Sequence, residues 1–188
     1  MRKSLVLSMA AAMTAGLAAL VPAAANAGSG DTASTFTLTG NASGLSISVP
    51  DGSSTPVDLG TTTTGSASLT HALGNVSVTD TRGALAATWS VTGSTTDFTT
   101  GTATANETVA AANVGYYAGA GSALAGQVGA FTPVGTALTP VPLAAATPVG
   151  AWAGVGNNTV TFNPTVSFTL LPSQVAGTYS GTITHSVS

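Results

Sequence analysis

Apolar and polar side chains alternate along much of this chain, and such alternation predicts β-strands whose two faces differ in burial. Within residues 75–92, a hydroxyl side chain separates Val76 from Val78 and another separates Trp89 from Val91. A turn-rich connection lies between these two runs. The pattern therefore predicts two half-buried strands joined as a β-hairpin.

The same period of two recurs on both sides of this hairpin. Further strands are predicted where apolar residues occupy every second position, at Phe36 and Leu38, at Leu45, Ile47 and Val49, at Val160 and Phe162, and at Val166, Phe168 and Leu170. A last strand is predicted at the C-terminus, where Thr and Ser alternate with a second face made of Tyr179, Gly181, Ile183, His185 and Val187. Residues 57–59 and 67–71 are predicted as short edge or connecting strands. Residues 107–117 are predicted as a strand or a short helix.

Composition favours the same fold class. Charged residues make up 5% of the chain and hydrophobic residues 44%, while Thr, Ser and Gly dominate the remainder. Thr and Val favour strands because of their branched β-carbons, and the strong helix formers Lys, Glu, Arg and Gln are nearly absent. Many short strands with Gly and Pro turns predict an all-β fold, an antiparallel two-sheet β-sandwich of immunoglobulin-like size.

One segment interrupts this pattern. From Ala118 to Gly156 the chain consists mostly of Ala, Gly, Pro, Val and Thr and has no charged residue. Pro133, Pro140 and Pro148 are among the prolines that predict that no regular element runs far here. We therefore expect a long Ala/Gly/Pro-rich, low-complexity insertion at about 118–156, which is either functional or poorly ordered.

The N-terminus has the pattern of a secretory signal peptide. Two basic residues precede the apolar run 5–21, and Ala25-Asn26-Ala27 is the small-x-small pattern that signal peptidase cleaves after. We expect residues 1–27 to be removed and residues 28–188 to form a single β-sandwich domain that is secreted, extracellular or cell-wall associated. The chain has no Cys, so this fold depends on its apolar core and not on disulfides.

Charge excludes several classes of partner. Once the leader is removed, Arg82 stands alone against six acidic residues, a net charge of −5. Without a basic patch, nothing neutralises phosphates, so neither nucleic acid nor an anionic membrane surface is expected as a partner.

No motif for catalysis or metal binding is present. No Gly-x-Ser-x-Gly elbow occurs, since Gly177-Thr178-Tyr179-Ser180-Gly181 places its serine one position too late. The distant His71 and His185 and the isolated aspartates lack the spacing of zinc or calcium ligands. We therefore predict a non-enzymatic protein with no cofactor and no metal.

Asp80, Arg82 and Trp89 are the candidate binding residues. Arg82 either pairs with Asp80 or Asp97 to hold the turn, or contacts an anionic or sugar ligand. Trp89 either anchors the core or offers a platform on which a sugar stacks. The structural interpretation is favoured for both residues.

These residues also resemble a known family, the WxL domain of Gram-positive cell surfaces. The resemblance rests on Asp80-Thr81-Arg82-Gly83, on Trp89-Ser90-Val91 and on a C-terminal strand that begins near Tyr179. Valine replaces the leucine of the first motif, and His185-Ser186-Val187 departs from the second motif at both named positions. The likeness covers about 67–98 and 175–188. It implies non-covalent attachment to peptidoglycan among partner proteins at the cell surface.

Two functions from different classes remain open. The first is a secreted, non-enzymatic cell-surface module that binds cell-wall polymer or a surface protein. The second is a self-assembling structural subunit of an extracellular or surface layer or fibre, in which this chain forms a homo-oligomer. The second is favoured by a surface without the lysines that normally protect strand edges, and by the uncharged segment 118–156.

Overall fold

A computed structural model of the chain describes residues 33–50 and 56–188. The predicted signal peptide and its cleavage site lie outside these residues. The chain divides into two units, Met1–Thr37 and Leu38–Ser188, and the fold is that of the second unit.

The described residues form an all-β structure, which confirms the predicted class. Its regular elements are two single-turn 3-10 helices, Ala105–Glu107 and Ala111–Asn113, and fourteen strands. The strands are β1 (Leu45–Ser48), β2 (Ser68–Ala72), β3 (Val76–Asp80), β4 (Ala87–Thr95), β5 (Phe98–Thr99), β6 (Thr108–Val109), β7 (Val114–Tyr117), β8 (Gly121–Ala123), β9 (Val128–Pro133), β10 (Val141–Pro142), β11 (Thr147–Val155), β12 (Asn158–Phe162), β13 (Thr165–Thr169) and β14 (Ile183–Val187).

The strands form several antiparallel sheets, as in a β-sandwich. Sheet 1 has the order β1-β3-β12-β8, sheet 2 the order β10-β7-β13-β2, and sheet 3 the order β14-β4-β11-β9. Strands β5 and β6 form a separate two-stranded ribbon. The outer strands of the three sheets are therefore β1 and β8, β10 and β2, and β14 and β9.

All three sheets contribute to one apolar core. Burial alternates along β3 and β4 as the sequence pattern predicts, so Val76 and Val78 are fully buried and Trp89 is only 3% exposed. The fully buried Val160 and Val166 come from sheets 1 and 2. Each such apolar side chain contributes about 1.5–3 kcal/mol by leaving water.

The predicted hairpin is wrong, although both of its strands exist. Strand β3 pairs with β1 and β12 in sheet 1, whereas β4 pairs with β14 and β11 in sheet 3. The connection 81–86 therefore crosses from one sheet to another. Alternation shows which side chains face the core but carries no information about the hydrogen-bonded partner, so neighbours in sequence need not pair.

The expectation of a long irregular stretch at Ala118–Gly156 is also wrong. This segment contains β8, β9, β10 and the whole of β11, which is nine residues long and lies between two partners in sheet 3. Its prolines stand where a sheet tolerates a missing N–H: Pro142 in an outer strand, and Pro148 at a register shift in β11. Gly129 admits the ring of Trp152, because a Cβ there would overlap it.

Near the N-terminus the outcome is mixed. The predicted strand at Leu45 and Ile47 is confirmed as β1, but no strand forms at Phe36 and Leu38, each 91% exposed. Among the short predictions, 67–71 corresponds to β2 and 57–59 is not a strand. A strand needs a partner for its backbone groups, and within the described residues the segment around Phe36 and Leu38 has none.

Candidate functional site

Asp80 and Arg82 form a two-pronged ion pair at the end of β3. Arg82 Nε donates to Asp80 Oδ1 at 2.9 Å, and Arg82 Nη2 donates to Asp80 Oδ2 at 2.8 Å. The backbone N–H of Arg82 also donates to Asp80 Oδ1, and Nη2 reaches the carbonyl of Thr88 at 2.8 Å. Asp80 has no exposed surface, whereas the Arg82 side chain is 29% exposed. The pair thus ties the start of the crossing connection to the start of β4.

The ion pair sets the charge state of its own carboxylate. Hydrogen bonds from the Arg82 side chain lower the pKa of Asp80, and they outweigh the opposite effect of burial. Asp80 is therefore ionised, and its buried charge is compensated by hydrogen bonds. Arg82 is the only Lys or Arg among the described residues, and its guanidinium is already engaged by Asp80 and Thr88.

Trp89 is linked to this pair through a polar partner, Asn158. Its Nε1 donates to Oδ1 of Asn158 at 2.8 Å, and Asn158 is 1% exposed. Asn158 lies opposite Asp80 in the β12–β3 register. Trp89 also stacks on Trp152, its direct neighbour on β11, with ring centroids 6.4 Å apart and planes 13° apart.

The structure thus brings the three sequence-predicted residues together in what we call the Asp-Arg-Trp-Asn cluster, Asp80, Arg82, Trp89 and Asn158. Each member has an internal partner, and the Trp89 ring has almost no surface on which a sugar could stack. That these residues contact a ligand stays a prediction. Sequence reasoning missed Asn158, because a buried asparagine has no pattern that distinguishes it from the exposed ones.

A second polar pair lies between sheets 2 and 3. Tyr116 Oη and His185 Nε2 are 2.9 Å apart, and Tyr116 is fully buried. Burial lowers the pKa of His185 from its ordinary 6.5 to about 4 and raises the pKa of Tyr116. Both groups are therefore neutral at pH 7.

Stability is expected to depend on pH through His185. Because its folded pKa lies below its unfolded value, unfolded chains bind the proton first, and the free energy of unfolding falls from about pH 6.5 to about pH 4. Urea unfolding at a series of pH values measures this slope. His185→Gln should be flatter than the native chain within that window, and an unchanged slope would contradict the assignment.

The remaining acids of the described part of the chain hold turns. Glu107 accepts hydrogen bonds from the backbone and side chain of Thr104 in a capping box, and the Thr104 backbone N–H lowers its pKa most. Asp97 accepts from the N–H of Ala111, and Asp58 from that of Gly60. Within residues 33–50 and 56–188, no three His, Asp or Glu side chains are grouped as metal ligands.

The outer face of sheet 1 carries two rows of hydroxyl groups, which we call the hydroxyl face. Its residues face away from the core at matched register positions, namely Ser46, Thr79 and Thr159 in one row and Ser48, Ser77, Thr161 and Ser122 in the other. Neighbouring hydroxyls touch, with Thr161 Oγ1 donating to Ser77 Oγ at 3.1 Å. Pleated-sheet geometry spaces them by about 4.8 Å across strands and about 7 Å along them.

A groove of about 1240 Å³, here called the edge groove, lies between outer strand β2 and outer strand β14. Its apolar lining includes Leu69 from β2 and Ile183 from β14, and the loop 56–66 lines it as well. Asp58 is the only Asp, Glu, Lys or Arg among the described residues that line it.

Comparison with known proteins gave no match among family models, curated proteins or solved structures. No helix in the described part of the chain has the length and hydropathy needed to cross a bilayer.

Proposed function

We propose that this chain is a secreted, non-enzymatic cell-surface protein that binds the uncharged glycan of the cell wall through the hydroxyl face of sheet 1. The observation that supports this most directly is the pair of register-matched Ser and Thr rows. A hydroxyl group both donates and accepts hydrogen bonds, so a regular array of them suits a repeating polymer that itself presents hydroxyls.

Charge supports a neutral ligand over an anionic one. The one guanidinium of the described residues is engaged by Asp80 and Thr88, and the chain has more acids than bases. An anionic wall polymer or a nucleic acid would meet repulsion without a compensating cation. A neutral glycan avoids this cost, and its binding should depend little on salt.

The resemblance to WxL domains supports the same compartment and partner. In this proposal the chain is a divergent WxL-like module with an immunoglobulin-like sandwich, attached to peptidoglycan without a covalent bond. Asp80, Arg82 and Trp89 then act as positioning residues. Since Asn158 and Asp80 are register partners, their cluster holds β3 beside β12 and keeps the hydroxyl rows aligned.

Wall binding is tested by co-sedimentation of the chain from Gly28 onward with purified cell walls. We expect binding to persist after anionic polymers are stripped from the walls, and at about 1 M NaCl, where the Debye length is about 3 Å. Ser46→Glu/Ser48→Glu, which places two charges on outer strand β1, should weaken binding by about tenfold or more, equivalent to about 1.4 kcal/mol.

The matched control is Ser68→Glu/Thr70→Glu, which changes two exposed hydroxyl residues on outer strand β2 of sheet 2. It should leave wall binding unchanged. Equal losses in both variants, or binding that disappears with the anionic polymers, would contradict the proposal. Binding to a co-purified surface protein but not to bare walls would also contradict it.

A further inference from the structure

The segment 35–39, Thr35-Phe36-Thr37-Leu38-Thr39, has the pattern of a strand but no partner within the described residues. Its two apolar side chains, Phe36 and Leu38, are each 91% exposed, which places two large hydrophobic groups in water two residues apart. A scattered exposed leucine needs no explanation, but a strand-forming segment with its whole apolar face in water does.

The edge groove offers an outer strand edge and an apolar surface, the two features that segment 35–39 lacks among the described residues. Strand β2 is an outer strand, so one row of its backbone N–H and C=O groups has no strand partner among the described residues. Beside it lie the apolar side chains of Leu69, Phe168 and Ile183. An added strand could pair with β2 and direct alternate side chains into the groove.

The volume of the groove and the lack of charge in segment 35–39 fit an added strand better than a small molecule. The groove volume of about 1240 Å³ exceeds the roughly 300–1,000 Å³ of ordinary ligand pockets. Residues 35–39 extend over about 17 Å, which matches the five residues of β2. Segment 35–39 has no charged residue, so its insertion buries no charge of its own.

We propose that segment 35–39 of one copy adds as a strand to β2 of a second copy, with Phe36 and Leu38 buried in that copy's edge groove. The outward residues are then Thr35, Thr37 and Thr39, which repeat the hydroxyl-out pattern of sheet 1. This assembly does not depend on wall binding, since it uses a different part of the molecule from the hydroxyl face.

Two positions favour a second copy as the source of the strand: the point at which the chain after segment 35–39 is attached to sheet 1, and the position of the groove. The backbone N–H of Asn41 donates to the carbonyl of Thr81 at 3.0 Å, close to where Leu45 lies opposite Asp80. Strand β1 then runs toward Val49, which lines the groove. Asn41 and the groove are thus at opposite ends of β1, so the contact between two copies is head-to-tail and gives rings or open chains of subunits.

Assembly is tested by light scattering and electron microscopy of the chain from Gly28 onward over a range of concentrations. We expect concentration-dependent oligomers or filaments. Phe36→Ser/Leu38→Ser should shift the concentration needed for assembly upward by at least about tenfold, the equivalent of about 1.4 kcal/mol. Both residues are exposed in the single copy, so the variant should fold normally.

Leu85→Ser/Leu138→Ser is the matched control, because these leucines are 87% and 94% exposed but lie outside the segment. This variant should assemble like the native chain. Equal inhibition by both variants would indicate non-specific hydrophobic association and would overturn the proposal, as would a native chain that stays monomeric at high concentration.

Engineered cysteines give a direct test of the contact, because the chain has none of its own. Mixing Leu38→Cys, carried on a size-tagged chain, with Leu69→Cys should give a mixed disulfide dimer on oxidation. Leu85→Cys mixed with Leu69→Cys should not. A chain carrying both Leu38→Cys and Leu69→Cys that closes on itself at high dilution would show insertion within one copy and overturn the proposal.

Discussion

Replacing Arg82 by alanine is expected to lower the free energy of unfolding by about 3–5 kcal/mol. The substitution leaves the Asp80 carboxylate fully buried without its two-pronged partner, and it also removes the donor to the Thr88 carbonyl. Losing one member of a buried pair costs more than the pair itself contributes, because the remaining charge stays desolvated. Urea unfolding at pH 7, followed by tryptophan fluorescence, measures the change.

Two further variants separate charge from geometry. Arg82→Lys keeps the charge but cannot form two parallel hydrogen bonds with one carboxylate, so we expect a smaller loss. Asp80→Asn/Arg82→Met removes both charges and should recover much of the stability lost in Arg82→Ala. A loss below about 1 kcal/mol in Arg82→Ala would show that the pair behaves like an exposed ion pair.

The Asp80–Arg82 ion pair also predicts how the free energy of unfolding changes in acid. Because Arg82 depresses the folded pKa of Asp80, the stabilisation is complete above the unfolded pKa of about 3.9 and is lost as the pH falls below it toward the folded pKa. The Arg82→Ala variant should lack most of this acid sensitivity. The window lies below that of His185, so the two contributions can be distinguished.

Replacing Trp89 by alanine is expected to cost about 3–5 kcal/mol, the range for removing a large aromatic side chain from a core. Trp89 is 3% exposed, stacks on Trp152 and lies 6.0 Å from the ring of Phe131. Its loss would open a cavity between β4 and β11 and leave the Asn158 amide without its donor. Chemical unfolding and the near-ultraviolet circular dichroism of the aromatic cluster report the effect.

Trp89→Phe is the informative control. It keeps an aromatic ring in the core but removes the indole N–H, so the buried Oδ1 of Asn158 loses its partner at a cost of about 1–3 kcal/mol. If Trp89→Phe costs as much as Trp89→Ala, the hydrogen bond dominates over packing. A Trp89→Ala variant with near-native stability would instead place Trp89 outside the core and revive it as a ligand platform.

Much of the candidate site could be located from the sequence. Asp80, Arg82 and Trp89 stand out because a charge-poor chain has few such residues and because an acid, a base and a glycine occur together at a strand end. Their partner Asn158 could not be found, since it lies 69 residues from Trp89 and looks like any other asparagine. The core position of Trp152 could not be predicted either, because the prolines and glycines of segment 118–156 suggested an irregular structure around it.

The amino-acid pattern by itself determined the all-β class and most of the strands, because a period of two with branched and hydroxyl side chains is compatible with little else. Only the tertiary structure decided which strands pair, since hydrogen bonds between strands use backbone groups that are the same in every residue. It is the pairing that sends β3 and β4 to different sheets, aligns the hydroxyl rows and leaves segment 35–39 without a strand partner among residues 33–50 and 56–188. The local sequence pattern thus determines where the strands form, whereas long-range contacts determine how they pair and which residues share a surface.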